Sequence, residues 1–184
     1  YRLPMIIDVY QEGKPSRHPI EMQKRVQTFE FAIEGEITNV VVDAEHMLLA
    51  EIFDEKPKQW WLNQLDAPLY MDQKIALQNI DSEFTQKAVI KTAKHKYWGV
   101  RSLAIASAIK NQVFDKQTEE LIAELAKNDK KTKVQASAID YLAQSPNNEK
   151  YEELFELSVN NLSYAISGAS LNALSLINSE KSIL

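Results

Sequence analysis

The apolar residues change their period once, at Pro57, and every fold open to this 184-residue chain must accommodate that change. Upstream, "MIIDVY" (5–10) and "VQTFEFAI" (26–33) alternate apolar with polar residues, as half-buried strands do. Gly and Pro in "QEGKPS" (11–16) mark a hairpin turn, "IEGE" (33–36) marks a second, and "TNVVVD" (38–43) is a further β segment. The pattern predicts strands at 2–11, 17–24, 26–34 and 37–42, with "MLLAEI" (47–52) as a candidate fifth. Antiparallel hairpins of this kind bury one face and wet the other, and four or five strands are about half of a β-sandwich.

Downstream the period is 3.6. Helices are expected at 57–66, 68–80, 83–95, 97–111, 115–128, 131–144, 148–160 and 162–178. Short connections separate them, and Asp66, Asp81 or Ser82, Asp115 and Asp129 stand where N-caps belong. The expected class is α+β in two parts: residues 1–53 a partial antiparallel β-sandwich, residues 54–184 a mostly α-helical domain. The helical part carries a repeat. "VRSLAIASAI" from Val100, "VQASAIDYLA" from Val134 and "ISGASLNALS" from Ile166 are offset by 34 and 32 residues. Val100, Val134 and Ile166 share one phase, and Ala104, Ala138 and Ser170 a second. Ile105, Ile139 and Leu171 share a third, and Ala108, Leu142 and Leu174 a fourth. Small residues alternating with branched ones let helices approach closely, so the expectation is a HEAT-like, right-handed solenoid of helical hairpins.

Charge and composition narrow the function. The net charge is −5 and the pI about 5.3, which gives no general attraction to nucleic acid or anionic membrane. There is no cysteine, so thiol nucleophiles, disulfides and thiolate metal sites are excluded. No apolar run approaches the ~18 residues of a membrane span, and no signal peptide opens the chain. The chain starts inside a strand pattern and stops on "SEKSIL", so both ends read as cuts through a longer protein. The compartment is left open.

Trp60 and Trp61 stand where the β layer hands over to helices. Neighbours on a helix point about 100° apart, so one aromatic can face the sheet while the other faces the next helix. A joint between layers is the expected role, ahead of a ligand platform. The same stretch carries a resemblance. Leu48-Leu49-Ala50, then Asp54, Lys56, Pro57, Trp60-Trp61, Gln64-Leu65, Ala67, Tyr70, Asp72, Ala76 and Leu77 resemble the junction in zinc aminopeptidases of the aminopeptidase N type. There a sandwich strand leads into an all-helical, HEAT-like C-terminal domain. The resemblance is clearest over residues 26–80, and it implies that Trp60, Trp61, Tyr70 and Asp72 belong to the joint. Gln73 departs from it, since the family usually has Arg there.

The resemblance also implies a zinc ion, peptide substrates and a catalytic domain of the same parent chain as the partner of this part. The zinc chemistry needs His-Glu-x-x-His and a downstream Glu, and this sequence has neither. His18, His46 and His95 lie far apart, and Glu45-His46 in "AEHML" has no second His four residues on. The expectation is therefore a chain with no catalytic residues and no cofactor of its own. A HEAT-like protein-interaction scaffold without peptidase activity is the alternative.

Other clusters are weighed against solvated faces. Lys87, Lys91 and Lys94 recur on one helix face, and Lys127, Lys130, Lys131 and Lys133 follow one repeat later. A nucleic-acid ridge of the solenoid type would use them, but acids intersperse and no nucleic-acid partner is expected. Glu119-Glu120 and Glu152-Glu153 read as helix-face pairs without a reactive neighbour. Asp140 and Tyr141 read either as the lining of a concave surface or as an exposed flank.

Overall fold

Glu12 and Gly13 both take positive φ, 47° and 78°, and reverse the chain within two residues. Tight hairpins need this backbone because its twist matches that of the flanking strands. In the computed structural model, which describes residues 2–181, the turn joins β1 (Leu3–Gln11) to β2 (Lys14–Met22). The register follows: Gln11 faces Lys14, Asp8 faces Arg17 and Ile7 faces His18. A third strand, β3 (Asn39–Val42), pairs antiparallel with the other side of β1, giving the order β2-β1-β3. The second strand begins at residue 14 rather than 17 because the turn is tighter than "QEGKPS" suggested. Pro15 and Pro19 are compatible with it, since an edge strand has one row of N–H positions without a sheet partner.

Two expected strands are absent. Residues 26–34 and 47–52 run without regular secondary structure, and Val26, Leu49 and Phe53 stand exposed. Alternation supplies a face for a strand but not a neighbour to bond with. Side chains hold the first segment instead: Gln11 Nε2 donates to the Glu34 carbonyl, and Gln27 bonds the backbone of Glu21 and Gln23.

The helices fall close to the expected spans: α1 (Lys58–Gln64), α2 (Tyr70–Asn79), α3 (Ser82–Thr92), α4 (Trp98–Lys110), α5 (Lys116–Asn128) and α6 (Thr132–Gln144). A 3₁₀ turn at Asn148–Tyr151 leads into α7 (Glu152–Val159), and α8 spans Tyr164–Lys181. The Asp81 carboxylate caps α3 at the Phe84 N–H, and Asp115 caps α5 at the Gln117 and Thr118 N–H groups. Asp129 does not cap α6, whose N-cap is Lys131; it accepts the Lys131 N–H within the preceding loop.

The chain folds as α+β, in two compact units, Tyr1–Asn79 and Ile80–Leu184. The expected boundary falls between residues 53 and 54, but α1 packs on β3 and α2 packs on α1, so these two helices group with the strands. Tyr10, Val41, Ala44 and Ala67 make a small core there, with Ile6 against it.

In the second unit α3 pairs with α4, α5 with α6 and α7 with α8, while α6 also packs on both α4 and α8. Val100, Val134 and Ile166 are buried in phase, as are Ala104, Ala138 and Ser170. The third phase holds for Ile105 and Ile139 but breaks at Leu171, 55% exposed on a side of α8 that no described element covers. Two residues read as surface are interior. Tyr141 is fully buried, with its hydroxyl donated to the Val113 carbonyl at 2.6 Å and its ring against Phe114. Burial, reinforced by Glu119, pushes its pKa far up. Glu119 is 3% exposed, and it accepts bonds from Ser145, Asn147 and Tyr151. Among the described residues no helix is long and apolar enough to cross a membrane.

Candidate functional site

The hairpin register sets Asp8 of β1 directly across from Arg17 of β2. Asp8 is buried, and Arg17 Nε and Nη2 reach its two carboxylate oxygens at 3.0 Å each. The remaining arm, Nη1, lies 2.9 Å from Glu45 Oε1. Hydrogen bonds to Asp8, and then its charge, raise the Arg17 pKa further above its already high value. The guanidinium is thus shared between two carboxylates, and it ties the hairpin to the turn after β3.

That turn is unusual in its backbone. Asp43 and His46 both sit at positive φ, 51° and 52°. Left-handed backbone costs a residue with a Cβ on the order of 1–2 kcal/mol, so neighbouring bonds must hold it. The Asp43 carboxylate accepts the Met47 and Leu48 N–H groups at 3.1 and 2.9 Å, and its carbonyl accepts the His46 N–H at 2.7 Å. The turn presents the imidazole to α2, where His46 Nε2 lies 2.8 Å from Oδ1 of Asp72. The Asp72 side chain is only 3% exposed. Burial raises its pKa, and the bond to His46 works in the opposite direction.

A second set of contacts reaches Asp72 from α1. Lys56 is an interior lysine, with a side chain 3% exposed. Its ammonium pairs with Asp54 at 3.1 Å, donates to the Val40 carbonyl at 2.8 Å and to Gln64 Oε1, and sits 4.0 Å from the centroid of the Trp61 ring. Burial pushes its pKa down, against the pull of Asp54. Gln64 passes the contact on by donating Nε2 to the Asp72 carbonyl at 2.9 Å. Trp61 and Asp72 therefore belong to one network through Lys56 and Gln64. Trp60 is half-buried beside them on α1, and Tyr70 is exposed at the start of α2. Gln73, where the resembling family has Arg, is buried and donates to the Ala67 carbonyl at 2.8 Å, closing the α1–α2 connection.

Asp8, Tyr10, Arg17, Glu45, Leu69 and Asp72 line a cleft of about 360 Å³. Burial, then the charges of Asp72 and Asp8, raise the Tyr10 pKa, so its phenol stays protonated. The chemistry is that of a charge-balanced joint: Arg17 is saturated by two carboxylates, and Asp72 by His46. The histidines are otherwise separate. Ser16 Oγ lies 3.0 Å from His18 Nε2, whose ring stacks on Phe31. His95 Nδ1 accepts the Tyr97 N–H at 3.1 Å. Among the described residues no three His, Asp or Glu are placed to hold a metal ion.

Sequence reasoning singled out Trp61 and Asp72 but missed Asp8, Tyr10, Arg17 and Glu45. A signal for the first three existed. A two-residue turn at Glu12–Gly13 fixes every pairing of the hairpin, Asp8 with Arg17 included. Glu45 had no such signal, because its place depends on the left-handed turn after β3. No protein-family model, curated protein or solved structure matches this chain.

Proposed function

We propose that this chain is a non-catalytic C-terminal portion of an aminopeptidase-N-like zinc peptidase. In this reading its helical part shapes and gates peptide access to a zinc site carried elsewhere in the parent protein. One observation carries the reading. Lys56, Trp61, Gln64 and Asp72, four of the positions on which the resemblance rests, are buried and joined in one continuous network. Agreement by composition alone would not select interior, mutually bonded positions. The helical unit lends support: hairpins α3–α4, α5–α6 and α7–α8 follow one another, and α6 packs on both α4 and α8, which is compatible with a HEAT-like stack. The three-stranded sheet is read as part of a sandwich. Gln73 stands where the family usually has Arg, and it makes an amide-to-carbonyl bond to Ala67.

The test is the reading frame upstream of the Tyr1 codon. A His-Glu-x-x-His motif followed by a downstream Glu is the expected result. A frame lacking it would overturn the peptidase reading and leave a HEAT-like interaction scaffold. A second test is direct: this chain, incubated with zinc, should not release amino acids from the N-termini of peptides. Stoichiometric zinc with such release would overturn its non-catalytic role.

A further inference from the structure

A basic cleft in the second unit has no part in the network above. Lys94, Lys96, Arg101, Lys130 and Lys131 line one cleft of about 620 Å³ around Trp98 and Leu125. The carboxylates lining it are Glu124 and Asp129, and Asp129 is already taken. Arg101 Nε and Nη2 reach its two oxygens at 2.6 and 2.7 Å, with side chains 12% and 3% exposed. Arg101 also donates to the His95 carbonyl at 2.6 Å, which fixes the α3–α4 connection as a wall of the cleft. The frame is thus built from a satisfied ion pair, and the lysines are left over.

Among the described residues no carboxylate lies within ion-pair distance of Lys94, Lys96, Lys130, Lys131 or Lys133. The ammonium groups of Lys131 and Lys133 both gather on the Trp98 ring, 5.5 and 5.6 Å from its centroid. Two helices, α4 and α6, begin here; neither has a side-chain cap or an acid in its first turn, whereas α3 and α5 have both. Cations beside helix N-termini repel the macrodipole, so the lysines raise the energy of the empty cleft and a bound anion would lower it. The surplus is local. Residues 80–184 hold 13 Lys/Arg and 13 Asp/Glu, so the unit as a whole is neutral.

We infer that this cleft binds an acidic peptide segment, its carboxylates on the lysines and its side-chain stems against Leu125 and the Trp98 edge. A nucleic acid fits the same observations less well. The Trp98 ring is occupied by ammonium groups rather than open for a base to stack on. The inference is independent of the peptidase reading and holds for the interaction scaffold as well.

The test is fluorescence anisotropy of a fluorescein-labelled oligoglutamate at low ionic strength, with an oligothymidine of equal charge as competitor. The peptide should bind and weaken with added salt. Lys94→Glu combined with Lys131→Glu should lower the affinity by at least about tenfold, while Lys150→Glu, outside the cleft, should leave it unchanged. Both cleft lysines are exposed, so the double variant keeps its fold, which circular dichroism verifies. No binding, or equal loss in the Lys150 variant, would overturn the inference. Tighter binding of the oligothymidine through the same two lysines would overturn it in favour of nucleic acid.

Discussion

His46 Nε2 lies 2.8 Å from Asp72 Oδ1, and His46 is held at φ 52° to place it there. A left-handed turn on one side and a buried carboxylate on the other are both unfavourable alone, and each makes the other tenable. Asp8 and Tyr10 of β1, Arg17 and Glu45 of the cleft, and Lys56 before α1 are the other charged or titratable groups around the pair.

The first prediction concerns pH. Burial raises the Asp72 pKa above its ordinary 3.8, so the folded chain takes up this proton more readily than the unfolded one. Stability from this group is full below 3.8 and is lost as pH rises through the folded value. In Asp72→Asn that loss disappears. Thermal melts across the weakly acid range should show a smaller fall in Tm with rising pH for this variant than for the parent. His46→Ala, which removes the partner of the charged form, should make the fall steeper.

Trp60 and Trp61 differ in what they bury. Trp61 is 7% exposed under the Lys56 ammonium, whereas Trp60 is half-buried. Trp61→Ala should cost about 3–5 kcal/mol, and Trp60→Ala less than half as much. Urea unfolding followed by circular dichroism separates them. Equal costs would remove Trp61 from the centre of the joint.

Glu119 and Glu120 make a similar contrast on α5. Glu119 is buried against Ser145, Asn147 and Tyr151, and Glu120 is exposed. Removing the buried carboxylate leaves those partners without an acceptor, so Glu119→Ala should destabilise by about 2–3 kcal/mol. Glu120→Ala should stay within about 0.5 kcal/mol of the parent. Denaturation midpoints of the two variants check this.

Arg101 and Asp129 should govern acid sensitivity of the second unit. Burial alone would raise the Asp129 pKa, but the hydrogen bonds from Arg101 and the Lys131 N–H bring it below 3.8. The stability it contributes is present above 3.8 and is lost as pH falls through the lower folded value. Arg101→Ala should cost about 3 kcal/mol near neutrality, because it strands a buried carboxylate. The loss relative to the parent should shrink in acid, where the carboxylate is protonated in both.

Local signals and distant ones account for what was legible. The start of α3 at Asp81 and that of α5 at Asp115 are written in capping residues that act within three positions of themselves. The β1–β2 register also had a local signal in Glu12–Gly13, but the sequence pattern puts the turn at 11–16 and the start of the second strand at 17. The strand expected at 26–34 was not decidable locally, because alternation says which face a strand would bury and not whether a neighbour lies beside it. Glu119 and Tyr141 were misread for a related reason: a polar residue on a helix reads as surface unless its partners are known, and theirs lie 26 to 32 residues away.

By itself, then, the sequence determined the switch from strands to helices, nearly all helix boundaries, the phase of the buried small residues and the absence of a His-Glu-x-x-His motif. These depend on periods, caps and identities read over one or two turns of chain. Only the tertiary structure decided that α1 and α2 group with the sheet, that Arg17 is shared by Asp8 and Glu45, and that His46 meets Asp72. It also gathered Lys94, Lys130 and Lys131 around one tryptophan. Each of these unites groups far apart in the chain, and such unions are set by which surfaces the packed elements bring together, a quantity no local pattern contains.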